Sequence, residues 1–313
     1  MDVSVILSTY NRAASLGVTL DTFSRLTVPA NLRWELLVVD NNSTDSTREV
    51  IHRFAEASNL PARYVFEKRQ GRSAAMNTGI GESKGEIIAF TDDDVLLHPD
   101  WLWQLKMVFE QFDCAAVAGR VVPLWNQPKP EWLEMEGQQA IVNFEPGDEF
   151  KEVPFPLGAN SAFRRDVFHR HGLFRLDLGV SGSKHTITCE DTEFGMRLAK
   201  AGEKVIYCPT AIIYHPVDSK RATKEYFLSW HYYDGVSLTR TAGLPGFGVR
   251  YLGVPRWLYR ECLQNFGKWM LTFKANDRFQ RKLKTYRSIG TIAESYRLSR
   301  LEAAGSRSQL ERA

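Results

Sequence analysis

Residues 86–94 read Glu-Ile-Ile-Ala-Phe-Thr-Asp-Asp-Asp, an apolar run that ends in three consecutive carboxylates. The run has the length and composition of a short buried strand. Side chains alternate along a strand, and the aspartates leave it at its carboxyl end. We therefore expect at least two of Asp92, Asp93 and Asp94 to converge on one crevice. Such a triplet is typical of a site for a hard divalent cation, or of a solvated acidic turn that caps a following helix.

Three more predicted strands precede this one, and helical patterns fill the gaps between them. The strands are predicted at residues 3–8, 36–39 and 63–66. The helices are predicted to begin after Asn11, after Asp45 and at Gly71. Regular alternation of strands and helices is typical of an α/β fold with a largely parallel sheet.

Polar residues follow three of these strands at the point where each one ends. They are Ser8-Thr9-Tyr10-Asn11, Asp40-Asn41-Asn42-Ser43 and the aspartate triplet. Ligands of open α/β sheets bind outside the carboxyl ends of the strands. The three clusters are therefore predicted to face one pocket.

The second half of the chain is less regular. It contains predicted strands at 115–122 and 204–208 and a predicted helix at 190–201, and residues 123–156 are proline-rich and predict a loop or flap. His215 is predicted to follow a further short strand. We divide the chain into an α/β domain at 1–216, with halves at 1–122 and 123–216, and a helical basic extension at 217–313.

Composition predicts a cytoplasmic protein. Of 313 residues, 43% are hydrophobic and 25% charged, which is ordinary for a globular chain. No run approaches the length of a membrane span, and the four cysteines fit neither a zinc motif nor a disulfide framework. The net charge of +3 is uneven, because residues 247–300 hold twelve Lys or Arg against three acidic residues.

From Pro255 onward, apolar residues recur every three or four positions with basic residues between them. Residues 255–287 could lie on an anionic membrane surface, at the inner face of the membrane, or pack against the α/β domain with their charges solvated. We do not expect a nucleic-acid partner, and the sequence leaves the oligomeric state open.

The ordered set of motifs resembles the family 2 glycosyltransferases, inverting enzymes of the GT-A fold, over roughly residues 1–216. The resemblance is carried by Ser8-Thr9-Tyr10-Asn11-Arg12, the run from Asp40 to Asp45, the run from Gly71 to Gly79, the aspartate triplet, Gly158-Ala159-Asn160 and Cys189-Glu190-Asp191. It implies a Rossmann-like mixed sheet flanked by helices, so that residues 1–216 form a catalytic domain with a nucleotide-binding half at 1–122 and an acceptor half at 123–216. It also implies sugar transfer, with inversion, from a nucleotide diphosphate sugar to a hydroxyl of a glycan or lipid-linked acceptor, as in bacterial cell-surface glycan or glycolipid synthesis.

The resemblance also assigns residues. Mg²⁺ or Mn²⁺ is expected at Asp92, Asp93 and Asp94, in either of two registers, with His215 as a third ligand. The expected base is Asp191, with Glu190 beside it, although both carboxylates could simply cap a helix. The residues expected to bind the donor are Ser8, Thr9, Tyr10, Asn11, Arg12, Asp40, Asn42, Arg72, Asn77, Asp92, Asp93, Gly158, Ala159 and Asn160.

Two other functions fit parts of the pattern. A nucleotidyltransferase would need a phosphate loop with glycine and lysine after the first strand, and the segment from Ser8 to Arg12 has neither. A catalytically silent sugar- or membrane-binding module would not need the aspartate triplet or Asp191.

Overall fold

A computed structural model describes residues 1–133, 140–180, 187–245 and 248–310, with side chains up to residue 304. The chain forms two compact units. The first comprises Met1–Asn126, Ile141–Ser183 and Glu190–Val217, and the second comprises Gln127–Ala140, Lys184–Cys189 and Asp218–Ala313. The domain boundaries predicted at residues 122 and 216 stay predictions.

The first unit is built on a mixed sheet. Its strands are β1 (Val3–Thr9), β2 (Trp34–Asp40), β3 (Ala62–Phe66), β4 (Ile87–Thr91), β5 (Leu96–Leu97), β6 (Ala116–Trp125), β7 (Lys151–Glu152), β8 (Asn160–Arg164) and β9 (Val205–Val217). The strand order is β3-β2-β1-β4-β8-β6-β9-β5, and β7 pairs with β9. The first four strands in that order are parallel to one another, whereas β8 runs antiparallel to both β4 and β6.

Helices cover both faces of this sheet. They are α1 (Ala13–Phe23), α2 (Thr47–Ala57), α3 (Arg72–Glu82), α4 (Trp101–Gln111), α5 (Arg165–His171) and α6 (Glu190–Lys200). Alternation along β1 divides the core, since Val5 and Leu7 belong to one buried cluster and Ile6 to another. The sheet therefore has an apolar layer on each side, as its almost wholly buried strands β1, β2 and β4 require.

Four features differ from the sequence expectations. Strand β8 begins at Asn160 and α5 follows it directly, and the sequence predicted neither element. Strand β6 continues to Trp125, into the expected loop at 123–156. Strand β9 runs without a break through His215, whereas the sequence predicted two strands. The prolines at 209 and 216 suggested an interruption, but the folded strand accommodates both.

The second unit is helical. It contains α7 (Lys224–Ala242), the hairpin of β10 (Arg250–Tyr251) and β11 (Val254–Pro255), α8 (Arg256–Leu271) and α9 (Ala275–Leu310). The single basic segment expected at 255–287 is thus one helix and part of another. Trp132 packs edge-on against Phe227 and Phe279, with ring centroids 5.2 Å away in each case. No helix in the described ranges has a stretch long and apolar enough to span a bilayer.

Candidate active site

An acidic cluster lies at the carboxyl end of β4. Asp92 and Asp94 follow that strand, and His215 comes from β9. One ligand atom from each of these three residues lies within 4.8 Å of the other two. The antiparallel pairing of Leu96 with Tyr214 explains the contact, because it brings the end of β9 beside the segment that follows the triplet.

The chemistry of this cluster suits a divalent cation. Carboxylate oxygens are the ligands that Mg²⁺ and Mn²⁺ prefer, and imidazole is acceptable to Mn²⁺. His215 is buried, and its Nε2 lies 3.4 Å from Oδ1 of Asp94. Asp92, Asp94 and His215 therefore fit the expected metal. Of the two registers expected for the triplet, this set corresponds to the one in which Asp92 and Asp94 are the ligands.

Asp93, the middle aspartate, has a different environment. It is buried, and Nη1 of Arg12 lies 3.2 Å from its Oδ1 and 2.5 Å from Oδ2 of Asp94. Burial raises the pKa of Asp93 to about 6, and the Arg12 charge acts in the opposite direction. Arg12 thus partly neutralises the negative charge of Asp93 and Asp94. A direct contact between Asp93 and the metal stays a prediction.

Arg72, at the start of α3, links the two halves of the site. Its guanidinium donates to Oδ1 of Asp92 at 2.6 Å, to Oε1 of Glu190 at 2.9 Å and to the carbonyl oxygen of Gly158 at 3.1 Å. Both terminal nitrogens of the Arg72 guanidinium therefore already donate to acceptors within the protein. The structure therefore gives Arg72 an internal role that the sequence prediction of donor binding did not contain.

Glu190 and Asp191 open α6 but are not equivalent. Glu190 is buried, which raises its pKa, while the positive charge of Arg72 acts in the opposite direction. Asp191 is partly exposed, and its Oδ2 accepts a hydrogen bond from the backbone N–H of Gly158 at 2.8 Å. Its Oδ1 accepts from the backbone N–H of Thr192 at 2.7 Å. Each oxygen keeps a second lone pair, so Asp191 can still accept a proton.

Gly158 lies where a larger residue would crowd the site. A β-carbon at this position would lie 3.0 Å from Oδ2 of Asp191 and 3.2 Å from the terminal nitrogens of Arg72. The N–H of Gly158 donates to Asp191, and its carbonyl oxygen accepts from Arg72. Close approach of the backbone, and not conformational freedom, is therefore the reason for glycine here.

The end of β2 forms the expected nucleotide side of the crevice. Asp40 is buried, and its carboxylate accepts from the backbone N–H of Ser43 at 2.9 Å and from the hydroxyl of Tyr64 at 3.0 Å. Burial, helped by the Asp40 bond, raises the pKa of Tyr64 to about 12. The hydroxyl therefore remains a donor, and the Asp40 carboxylate is fixed in orientation.

The loops after β1 and β2 are tied together by Asn11. This residue has a φ of 51°, and its Oδ1 accepts from the backbone N–H of Thr44 at 2.7 Å. Its own N–H donates to Oγ of Ser43 at 2.9 Å. Asn42 has a φ of 64°, also in the left-handed region that asparagine tolerates. Ser8, Thr9 and Tyr10 lie at the same edge of the sheet, at the end of β1.

Three residues predicted to bind the donor are used inside the protein. Oδ1 of Asn160 accepts from Nε1 of Trp101, and its Nδ2 donates to the carbonyls of Arg120 and Ala211, all at 2.8 Å. Asn77 exchanges two hydrogen bonds with the backbone of Phe174. Ala159 is buried in the core. The Asn160 and Asn77 amides thus have internal partners, and their expected part in donor binding stays a prediction.

Sequence reasoning missed Tyr64, Trp101 and the ion pair between Arg72 and Glu190. Tyr64 occupies an ordinary strand position, and only the parallel pairing of β2 with β3 brings it near Asp40. Arg72 and Glu190 are 118 positions apart, and no local pattern connects them. The fit of Asn160 against Gly119 on the neighbouring strand also appears only in the folded chain, where a β-carbon at Gly119 would lie 2.3 Å from Asn160.

Comparison with protein families and curated proteins gives consistent matches. The model for "Glycosyl transferase family 2" matches residues 4–172. A glucosyl-dolichyl phosphate glucuronosyltransferase of Haloferax volcanii is 29% identical over 244 residues, covering 76% of each chain. The succinoglycan biosynthesis protein ExoM of Rhizobium meliloti is 26% identical over 251 residues, covering 80% of this chain and 78% of its own.

Solved structures agree on the fold. The mannosyltransferase PcManGT from Pyrobaculum calidifontis, in complex with GDP-Man and Mn²⁺, superposes with a TM-score of 0.56 at 21% identity. The match covers 98% of this chain and 80% of that one. The architecture is therefore that of the GT-A transferases, as the sequence predicted.

Proposed function

This chain belongs to glycosyl transferase family 2, and we propose that it transfers a sugar, with inversion, from a nucleotide diphosphate sugar to a hydroxyl of a glycan or lipid-linked acceptor. The observation that supports this most is the chain of contacts from the acidic cluster to a carboxylate. Asp92 bonds to Arg72, Arg72 to the Gly158 carbonyl, and the Gly158 N–H to Asp191. The groups for the leaving side and the attacking side of one reaction are thus held in a single network.

In this proposal Asp92, Asp94 and His215 hold Mg²⁺ or Mn²⁺. When bound, the cation would stabilise negative charge on the departing diphosphate oxygens. Asp40 would accept hydrogen bonds from the base or ribose, as an acidic residue at a strand end does in dinucleotide folds. Ser8, Thr9, Tyr10 and Asn42 line the same edge and complete the nucleotide side.

Asp191 would act as the base. The acceptor hydroxyl oxygen attacks the anomeric carbon from the side opposite the diphosphate, and its proton passes to a carboxylate oxygen of Asp191. The bond from the anomeric carbon to the diphosphate oxygen breaks, and its electron pair leaves with the nucleotide. Glu190 is less suited to this role because it is buried and already paired with Arg72.

The acceptor class draws on the relatives. One acts, by its name, in a step that involves glucosyl-dolichyl phosphate, and another takes part in succinoglycan synthesis. From these two relatives we infer only the class of the acceptor, which is a hydroxyl of a glycan or of a lipid-linked molecule. A nucleotidyltransferase is not favoured, because the segment after β1 contains no glycine-rich, lysine-bearing loop.

A thermal-shift screen tests the proposal. Nucleotide diphosphate sugars are presented to the full chain with Mg²⁺, with Mn²⁺ and with EDTA, since a ligand that binds only the folded state raises the melting temperature. We expect one donor to raise it, and to do so only when the cation is present. Stabilisation by a nucleoside triphosphate and by a sugar phosphate, in addition to that by the nucleotide sugar, would instead indicate a nucleotidyltransferase.

A further inference from the structure

Helix α8 has one packed side and one open side. On the packed side, Leu258 is buried, Nδ2 of Asn265 donates to Oγ of Ser288 on α9 at 2.9 Å, and Nζ of Lys282 lies 5.4 Å from the centroid of the Trp269 ring. These contacts fix α8 against α9. The opposite side of α8 is exposed to solvent.

The open side is apolar and basic at once. Arg256, Arg260, Leu263, Gly267 and Met270 recur at intervals of four and three residues, so they share one face of the helix. A face that exposes large apolar side chains in this way marks a site of interaction more often than ordinary surface. We call the face formed by these five residues the outer face of α8.

Exposed apolar residues continue beyond both ends of the helix. Phe273, in the connection to α9, is 93% exposed. Leu252 lies at the tip of the β10–β11 hairpin with a φ of 51°. An open groove of about 670 Å³ lies between the hairpin and α8, and its lining includes Tyr251, Leu252, Arg256, Tyr259, Arg260 and Leu263.

Charge indicates what covers this surface. Residues 247–300 carry nine more positive than negative charges, and the rest of the chain has the opposite sign overall. The partner should therefore be anionic, and it must also accept Leu263, Met270 and Phe273. A bilayer that contains acidic lipids offers both properties, because apolar side chains enter the boundary between headgroups and acyl chains while arginines reach the phosphates.

We propose that the outer face of α8, with the hairpin tip and Phe273, docks on an anionic lipid bilayer. Leu252 and Leu263 enter the boundary with the acyl chains, and Arg256 and Arg260, at the groove, contact the lipid phosphates. The attachment is peripheral, so it is reversible and weakens as salt screens the charges. The inference does not depend on the proposed sugar transfer and can fail or hold separately from it.

Vesicle sedimentation with the full chain tests it. Vesicles of phosphatidylglycerol mixed with phosphatidylcholine are compared with pure phosphatidylcholine, at low and at high salt. We expect the protein to pellet with the anionic vesicles at low salt and to leave them as salt rises. Protein that stays in the supernatant with anionic vesicles at low salt overturns the proposal.

Two pairs of substitutions test the residues, each with a matched control. Leu263→Gln with Met270→Gln should weaken the partition on the order of tenfold or more. The control is Val18→Gln with Leu301→Gln, since these two side chains are 56% and 55% exposed against 70% and 50% for the pair. Arg256→Gln with Arg260→Gln should weaken it about 30-fold at low salt, whereas Arg53→Gln with Lys200→Gln makes the same change in net charge and should not.

The arginine pair is exposed, so it tests the proposal even if the apolar pair disturbs folding. Equal losses in a test pair and its control would overturn the assignment of the surface. A second copy of the chain is the competing occupant, and light scattering distinguishes it. A wild-type dimer that Leu263→Gln with Met270→Gln converts to a monomer would assign the face to self-association and overturn the bilayer.

Discussion

The backbone N–H of Gly158 donates to Oδ2 of Asp191 at 2.8 Å, and this bond holds the carboxylate that we propose as the base. The same residue gives its carbonyl to Arg72. A residue with no side chain thus fixes the position of two charged groups.

Replacing Gly158 with alanine should reduce turnover about 10- to 100-fold, because the new methyl group would push Asp191 away from its present position. The melting temperature should change little, since the atoms it meets are ends of side chains. Steady-state kinetics with a confirmed donor and acceptor measure the effect. Gly81→Ala, in α3 with nothing within 4 Å of the new carbon, is the control. Normal turnover in Gly158→Ala would show that this bond does not position the base.

Asp191→Asn should lower turnover by ~10²- to 10⁴-fold and leave donor binding nearly unchanged, because an amide cannot take up the acceptor proton. Glu190→Gln should behave differently. It removes a charge that Arg72 faces in a buried setting, so we expect a loss of stability of about 1–3 kcal/mol. Kinetics together with denaturant unfolding separate the two. If only Glu190→Gln abolished turnover in folded protein, the roles would have to be exchanged.

Asp94→Asn should remove the part of donor binding that depends on Mn²⁺, since Asp94 belongs to the cluster with Asp92 and His215. Calorimetric titration of the donor nucleotide with and without Mn²⁺ measures this part. Asp21→Asn, at an exposed position of α1, is the control for a lost carboxylate. Metal-enhanced affinity equal to that of the wild type would remove Asp94 from the metal site.

Asn160→Ala should destabilise the protein by about 3 kcal/mol or more, because it leaves Nε1 of Trp101, the buried carbonyl of Ala211 and the partly buried carbonyl of Arg120 without their partner. Donor affinity of the folded variant should stay near that of the wild type. Urea unfolding and donor titration report the two effects, with the exposed Asn59→Ala as control. A large loss of affinity at unchanged stability would restore the role expected from the sequence.

The pH dependence of stability should include a contribution from His231 on α7. Burial lowers the pKa of His231 to about 4 from an ordinary value of 6.5, and Arg287 acts in the same direction. Between these values the unfolded chain binds a proton that the folded chain does not, so the free energy of unfolding falls as the pH drops from 6.5 toward 4. Above pH 6.5 His231 is neutral in both the folded and the unfolded chain, so it no longer changes the free energy of unfolding with pH.

As the pH is lowered from 6.5 toward 4, the melting temperature of His231→Gln should therefore fall less than that of the wild type. The carboxyl of Asp234 has a pKa that burial raises, which acts in the opposite direction, but it is present in both proteins and cancels in the comparison. The exposed His169→Gln should follow the wild type. Parallel curves for His231→Gln and the wild type would contradict the prediction.

The parallel half of the sheet could be predicted because its strands are continuous apolar runs that end in polar clusters. The triplet at the end of β4 follows from the same pattern. Strand β8 could not be predicted, because its five residues, from Asn160 to Arg164, show no clear periodicity and gain their place by pairing with β4 and β6. Placing Arg72 against Glu190 likewise requires the folded chain, since each residue has plausible local roles on its own.

The second unit takes two short pieces from the middle of the chain, and one of them, which carries Trp132, matters for truncated or recombined genes. A gene shortened after the codon for Val217 would still encode Trp132 but would lack Phe227 and Phe279, the two rings against which it packs. Without these two rings, the indole of Trp132 would lose its aromatic packing partners. Homologues that exchange or delete this C-terminal part should therefore also differ near residues 127–133, and recombination at a single crossover point should yield poorly folding chimeras.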